Sequence, residues 1–351
     1  MRPALDTLWY THSPVPTGLG IAVESGRLAA AFRPYGTRIQ ALRESSEREI
    51  REAHFDHHLP YSVRHGGNIP AIWAHASGRQ TRVIGLSWTD EVQLLVTTND
   101  SPIKTLSDLK NSRFGVPKWA NVQIDFARAQ AIRGLENALQ LVGLAVKDLE
   151  LVDYPYGGTY SDEPVRHVYG AQISLGDSGV RQRNNELIGL LRGDIDAIFV
   201  KGAHGLQLAD EFGLRVLIDV GSHPDPLVRA NIGTPRTLTV DAQMLDEHFE
   251  ATVLILETVL RAEQWARSHP QETRAFLARE LNTSEYWVAN AYGADAHLRL
   301  QTNLAEQSIS ALQDLSAFLL RWQFIPQGID VQQWVDPRPL ARLLRTAGLA
   351  I

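Results

Sequence analysis

"DTLWYTHSPVPTGLGIAVESG", residues 6–26, sets an apolar run, a polar triplet, two prolines and a helical pattern in direct succession. Leu8, Trp9 and Tyr10 belong to a short β-favouring run, which predicts a strand. Leu19, Ala22 and Val23 recur at helical spacing, and the pattern extends through "GRLAAAF", predicting one helix to about residue 32. Thr11, His12 and Ser13 therefore fall at the carboxyl end of the first strand. Pro14 and Pro16 fix φ and limit how His12 and Ser13 are presented. A helix starting near Thr17 points its positive end at the same place, which favours an anion. The competing reading makes Ser13 and Thr17 simple caps of that helix.

Outward from this stretch, short apolar runs alternate with helical ones. "TRIQALRE", "TRVIGLSW" and "VQLLVTT" predict strands, and "IPAIWAHASG" predicts a helix. Such alternation implies an α/β class with largely parallel sheets. Near residue 100, "NDSPIKTLSDLKNSRFGVP" supplies a turn, a short helix capped by Thr105 or Ser107, and a new strand. An amphipathic helix over "QIDFARAQAIRGLENALQLVGL" and a strand at "DLELVDYP" follow. The glycine-rich stretch "YGGTYSDEPVRHVYGAQISLGDSG" reads as a surface excursion, before a helix, turn and strand in "NELIGLLRGDIDAIFV" and another strand in "GLRVLIDVG". From about residue 240 the pattern is helical. The expected organisation is a first unit of residues 1–100 plus 228–351, with residues 101–227 inserted as a second. Ligands of open α/β sheets bind beyond the carboxyl ends of strands, so the expected site is the cleft between the units.

The chain has 351 residues, 44% of them hydrophobic and 21% charged, a globular composition long enough for two cores. A formal charge of −6 and the lack of any basic block argue against nucleic acid as a partner. No apolar run reaches the ~18 residues of a membrane span. The N-terminus lacks the regions of a secretory signal, which predicts a cytoplasmic protein, or a periplasmic one if a leader has been removed. Cysteine is absent, which excludes disulfides and thiolate metal sites in this chain.

A second concentration of chemistry lies in "HFDHHLPYSVRHGGNIPAIW", residues 54–73. Four histidines, His54, His57, His58 and His65, invite a metal reading. Their spacing is not H-E-x-x-H and no cysteine accompanies them, so no metal is expected. Arg64 followed by Gly66 and Gly67 fits better with an anion: glycines let backbone N–H groups converge, and a guanidinium grips a two-oxygen anion. The alternatives are a surface ion pair for Arg64 and a plain turn for the glycines. In "FGVPKWANVQIDF" the strand–turn–helix logic returns; Asn121 is a candidate cap, and Trp119 or Phe126 a candidate aromatic wall, with core packing the plainer role for Phe126. "SPIK" is too short to propose a lactamase-like nucleophile, and no P-loop or G-x-G-x-x-G supports nucleotide binding.

In "DTLWYTHSPVP", "AHFDHHLPYSVRHGGNIPAI", "DSPIKTLSDLKNSRFGV", "DLELV" and "QWARSHP" the chain resembles the sulfonate, taurine and nitrate binders of the periplasmic-binding-protein superfamily. Within it the likeness is to the aryl sulfinate desulfinases, and it runs the length of the chain. The resemblance implies the two-domain periplasmic-binding-protein-like fold with the ligand cleft between domains. It implies that His54 matches the catalytic histidine, Arg64 the sulfinate-binding arginine and Gly67 a glycine whose N–H faces the anion. Ser13 falls where those enzymes carry an essential cysteine, in the frame x-Cys-Pro-Val-Pro. A serine hydroxyl needs a strong neighbouring base where a thiol does not.

Two functions follow as expectations. One is a desulfinase-like hydrolase, with Ser13, His54 and Arg64 catalytic, and His12, Gly66, Gly67, Asn121 and Phe126 binding substrate. It would need no metal, flavin or nicotinamide, and would sit in a pathway fed by a flavin monooxygenase. The other is a non-catalytic binder of sulfonate- or sulfinate-type anions that serves an ABC permease or a sensor. A pyrimidine synthase on the same fold is disfavoured, because its cysteine-rich motif is missing.

Overall fold

The computed structural model describes residues 5–159, 161 and 185–346. Two mixed sheets carry the α/β architecture. The first has six strands in the order β11-β4-β10-β3-β1-β2. These are β1 (Thr7–His12), β2 (Arg38–Ala41), β3 (Ser62–Gly66), β4 (Thr81–Ser87), β10 (Arg236–Asp241) and β11 (Thr302–Asn303). The second has five strands in the order β7-β6-β8-β5-β9. They are β5 (Gln93–Thr97), β6 (Arg113–Trp119), β7 (Glu150–Tyr156), β8 (Ala197–Lys201) and β9 (Arg215–Asp219). β1 runs parallel to β2 and β3, whereas β10 runs antiparallel to β3 and β4. The helices Phe249–Ser268 and Pro270–Glu280 cover one face of the first sheet, burying Leu8, Val63, Leu238 and Val240 against Leu256 and Val259. A second core runs through both units, joining Ile69 and Val83 to Phe114, Ile132 and Phe199.

Three features differ from the sequence expectation. β5, expected in the first unit, is the strand between β8 and β9 of the second sheet, so the chain crosses between Ser87 and Gln93 rather than near residue 100. The predicted helix over 18–32 is two, Gly18–Glu24 and Arg27–Phe32, because Gly26 adopts φ +71° and ends the run. β3 and β10 are strands that the sequence expectation did not include. The surface excursion expected over 156–179 lies mostly outside the described residues.

At the crossing, three parts of the molecule meet on one buried carboxylate. Glu91, 3% exposed, accepts from Lys201 of β8 at 2.8 Å and lies 3.5 Å from Arg236 of β10. Burial alone would raise its pKa, but Lys201 and Arg236 hold it below the ordinary glutamate value. The charge on Glu91 thereby ties the second sheet to the first.

Candidate functional site

Strand register builds the site. Thr11 of β1 pairs with Arg64 of β3, and Arg64 pairs in turn with Thr239 of β10. Directly paired residues share a sheet face, so Thr11, Arg64 and Thr239 lie together, and Ser13, two residues on, follows Thr11. Thr17 caps the first helix by accepting from the Gly20 N–H at 3.1 Å. Ser13 caps nothing. Its own N–H donates to the His65 carbonyl at 3.1 Å, and its Oγ lies 3.4 Å from the Gly67 N–H, which donates to it. A Cβ on Gly66 would stand 2.1 Å from Ser13 Oγ, so the hydroxyl fills the space a side chain there would need. Ser13, Gly66 and Gly67 are thus one cluster.

Arg64 is 2% exposed, and its guanidinium is fixed at two points. Nε donates to the His54 carbonyl at 2.8 Å and Nη1 to the Gly67 carbonyl at 2.8 Å. The first contact places the cation at the C-terminal end of the helix Arg48–Asp56, where the helix dipole is negative. Among the described residues no carboxylate pairs with Arg64 and Nη2 has no partner. Burial, then the charge of Arg43, pulls its pKa down to about 9. A buried cation without a counter-ion is expensive, and an incoming anion removes that cost.

His54 belongs to the same helix and is buried, with Nδ1 2.6 Å from Thr11 Oγ1. Burial lowers its pKa well below the histidine norm, with Arg64 and Arg43 adding repulsion, so the ring is neutral at pH 7. When Nδ1 donates to Thr11, Nε2 is left as a base; the opposite polarity makes Nε2 a donor. Phe55 meets the His54 ring edge-on at 4.6 Å and stacks on Phe126 of the second unit at 6.1 Å. Phe126, first residue of the helix Phe126–Gln140, is therefore brought to the same region from the far side. Asp56, at the end of the His54 helix, accepts from Gln123 at 3.2 Å, a second bridge between the units.

Other expected residues lie elsewhere. His12 faces the opposite side of β1 from Thr11, and its Nδ1 lies 2.9 Å from Glu280. Burial would lower its pKa, yet Glu280 lifts it above the ordinary value. Asn121 does not cap the helix; Asp125 does, accepting from the Arg128 N–H at 3.0 Å, while Asn121 donates to the Gly157 carbonyl at 2.5 Å. His58 sits against Asp56 at 2.5 Å, and fully buried His65 spans Leu19 and Ser87. Among the described residues no group of three or more acidic, histidine or cysteine side chains is arranged to hold a metal ion. The sequence named Thr11 only within the strand-end triplet and His57 only as a candidate metal ligand, and it did not single out Arg43, whose charge acts on His54 and Arg64; for Thr11 the signal was its place two residues before Ser13 on one strand face.

No family model matches the chain. It is 27% identical over 356 residues to the 2'-hydroxybiphenyl-2-sulfinate desulfinase of Rhodococcus erythropolis, covering 95% of this chain and 92% of that one. Among solved structures it is similar to a cysteine-to-serine mutant of DSZB in complex with biphenyl-2-sulfinic acid. The TM-score is 0.73 at 25% identity, over 98% of this chain and 99% of the other. The periplasmic aliphatic sulphonate binding protein SsuA from Escherichia coli shares the fold, with TM-score 0.64 and 16% identity over 94% and 92% of the two chains. No described helix is long and apolar enough to cross a membrane. The chain thus resembles a sulfinate desulfinase along its length and has a periplasmic-binding-protein-like α/β fold.

Proposed function

We propose that this protein binds an organic sulfinate, aryl in preference, in the cleft between its two units and releases sulfite from it by hydrolysis. The observation that carries the reading is Arg64: a buried guanidinium with no carboxylate partner among the described residues, beside the Ser13–Gly66–Gly67 cluster. In this reading Arg64 grips the sulfinate oxygens and the Gly67 N–H adds a second donor. Phe55 and Phe126 line the organic group. The reaction balances as sulfinate anion plus water giving hydrocarbon plus hydrogensulfite: the C–S bond breaks, carbon gains a proton, and sulfur gains the hydroxyl. His54, neutral and held by Thr11, orients or deprotonates residue 13. Residue 13 attacks sulfur or delivers the proton to carbon.

Serine does this poorly. Its hydroxyl is far less acidic than a thiol, so binding is retained and turnover is strongly reduced. That same residue favours the second reading, a binder of sulfonate- or sulfinate-type anions without catalysis. Sulfite release from a panel of aryl and alkyl sulfinates, by the natural protein and by Ser13→Cys, separates the two. Turnover that rises at least tenfold with Ser13→Cys supports the hydrolase. Tight binding with no sulfite from either protein supports the binder.

A further inference from the structure

His57 closes the helix Arg48–Asp56 in the left-handed region, φ 55°, a conformation that non-glycine residues adopt sparingly. It is 7% exposed, and its Nε2 is buried with no hydrogen-bond partner. A buried polar atom left unpaired is costly, so such atoms ordinarily have a partner that completes them. The surroundings say which kind. Arg64 Nε rests on the carbonyl of His54, one turn earlier on the same helix end, and Arg64 has no carboxylate partner among the described residues. Asp56, the preceding residue, touches Gln123 of the second unit, so this helix end abuts the cleft. The charged and titratable groups that act on the ring are Arg64, Arg79, which pairs with the Asp56 carboxylate at 3.7 Å, and the neutral imidazole of His54.

We propose that His57 is a further binding residue of the anion site, donating its Nε2–H to an oxygen of the bound organosulfur anion. This rests on the reading of Arg64 as the anion clamp. The imidazole is neutral, so it adds a directed hydrogen bond without adding to the positive charge of Arg64. It thus favours a ligand whose oxygens reach both groups, such as a sulfinate or sulfonate, over a monatomic anion such as chloride.

Titration calorimetry with biphenyl-2-sulfinate and biphenyl-2-sulfonate at pH 7.5 tests this on the natural protein, His57→Asn and Arg64→Met. Asparagine tolerates positive φ, so His57→Asn keeps the helix end while withdrawing the ring. The expected result is a 5–20-fold loss of affinity in His57→Asn, with the melting temperature changed by less than about 3 °C. If that variant does not fold, His57→Gln takes its place. In the natural protein, the imidazole nitrogen resonance missing from the variant's NMR spectrum should shift when sulfinate is added. Affinity within twofold of the natural protein, or a resonance indifferent to the ligand, overturns the role of His57 alone. Failure of the natural protein to bind either anion overturns both this proposal and the Arg64 reading beneath it.

Discussion

The hydroxyl of Ser13 stands where a side chain on Gly66 would be, 2.1 Å from the Cβ that alanine would introduce. Two strands, β1 and β3, thus meet at their carboxyl ends with no room for an extra carbon. The close approach is what sets residue 13 within reach of the Gly67 amide. Gly66→Ala is expected to push Ser13 out of that contact, at a cost of about 1–3 kcal/mol from overpacking. Binding of biphenyl-2-sulfinate should weaken at least tenfold. Calorimetry and thermal unfolding check both numbers, and unchanged affinity would detach the Ser13–Gly66 contact from the site.

At the crossing between the sheets, Lys201 is the nearest cation to Glu91. Lys201→Met leaves the buried carboxylate with Arg236, 3.5 Å away, as its remaining cation and the Tyr292 hydroxyl as its remaining side-chain donor. Fully buried pairs cost about 3–5 kcal/mol when one partner is removed. Here Arg236 remains and Lys201 is 18% exposed, so a loss of about 2 kcal/mol is expected. Lys201→Arg should restore most of it. Denaturant titration of the three proteins is the check, and an unaltered midpoint for Lys201→Met would show that the crossing is not held by this charge.

Packed against Gly18 at the start of the first helix, Glu263 receives the Thr302 N–H at 2.8 Å and the Thr302 hydroxyl at 2.5 Å, pinning edge strand β11. Burial lifts its pKa from 4.5 to about 7. Between those values the folded protein keeps a proton that the unfolded chain has lost. Its contribution is therefore complete below about pH 4.5 and is lost as pH rises toward 7, by about 3 kcal/mol. Glu263→Gln stays neutral, so it should gain stability relative to the natural protein as pH rises from 5 to 8. Melting temperatures across that range test this; a constant difference would mean that Glu263 does not titrate in the window.

β1, β4 and β5 were legible as strands, because they are runs of β-favouring apolar residues, although β5 went to the second sheet. β3 was not. Ser62, Val63, Arg64, His65 and Gly66 are all buried, yet three of the five are polar, so periodicity marks the segment as loop rather than strand. β10 differs: Thr237 and Thr239 alternate with Leu238 and Val240 in a strand-like pattern, but the segment is short and every residue of it is buried. His12 was misplaced for a related reason: adjacency in sequence to Ser13 suggested a shared wall, but successive strand residues point to opposite faces, and His12 went to Glu280. Gly66 and Gly67 were readable because close backbone approach leaves a compositional trace. The roles of Thr11 and His57 leave none, since a strand-end threonine and one histidine among four do not show their partners until the neighbours are known.

The rest of the proposed mechanism depends on the grip of Arg64 on an organosulfur anion. Its most direct test is calorimetric titration of biphenyl-2-sulfinate into the natural protein and Arg64→Met, with uncharged biphenyl as the control ligand. Loss of a charge-assisted, two-point contact predicts at least a 100-fold drop in sulfinate affinity, about 2.7 kcal/mol or more, and a sharply reduced preference for sulfinate over biphenyl. Sulfinate binding by Arg64→Met at natural strength, with the variant still folded, would contradict the account.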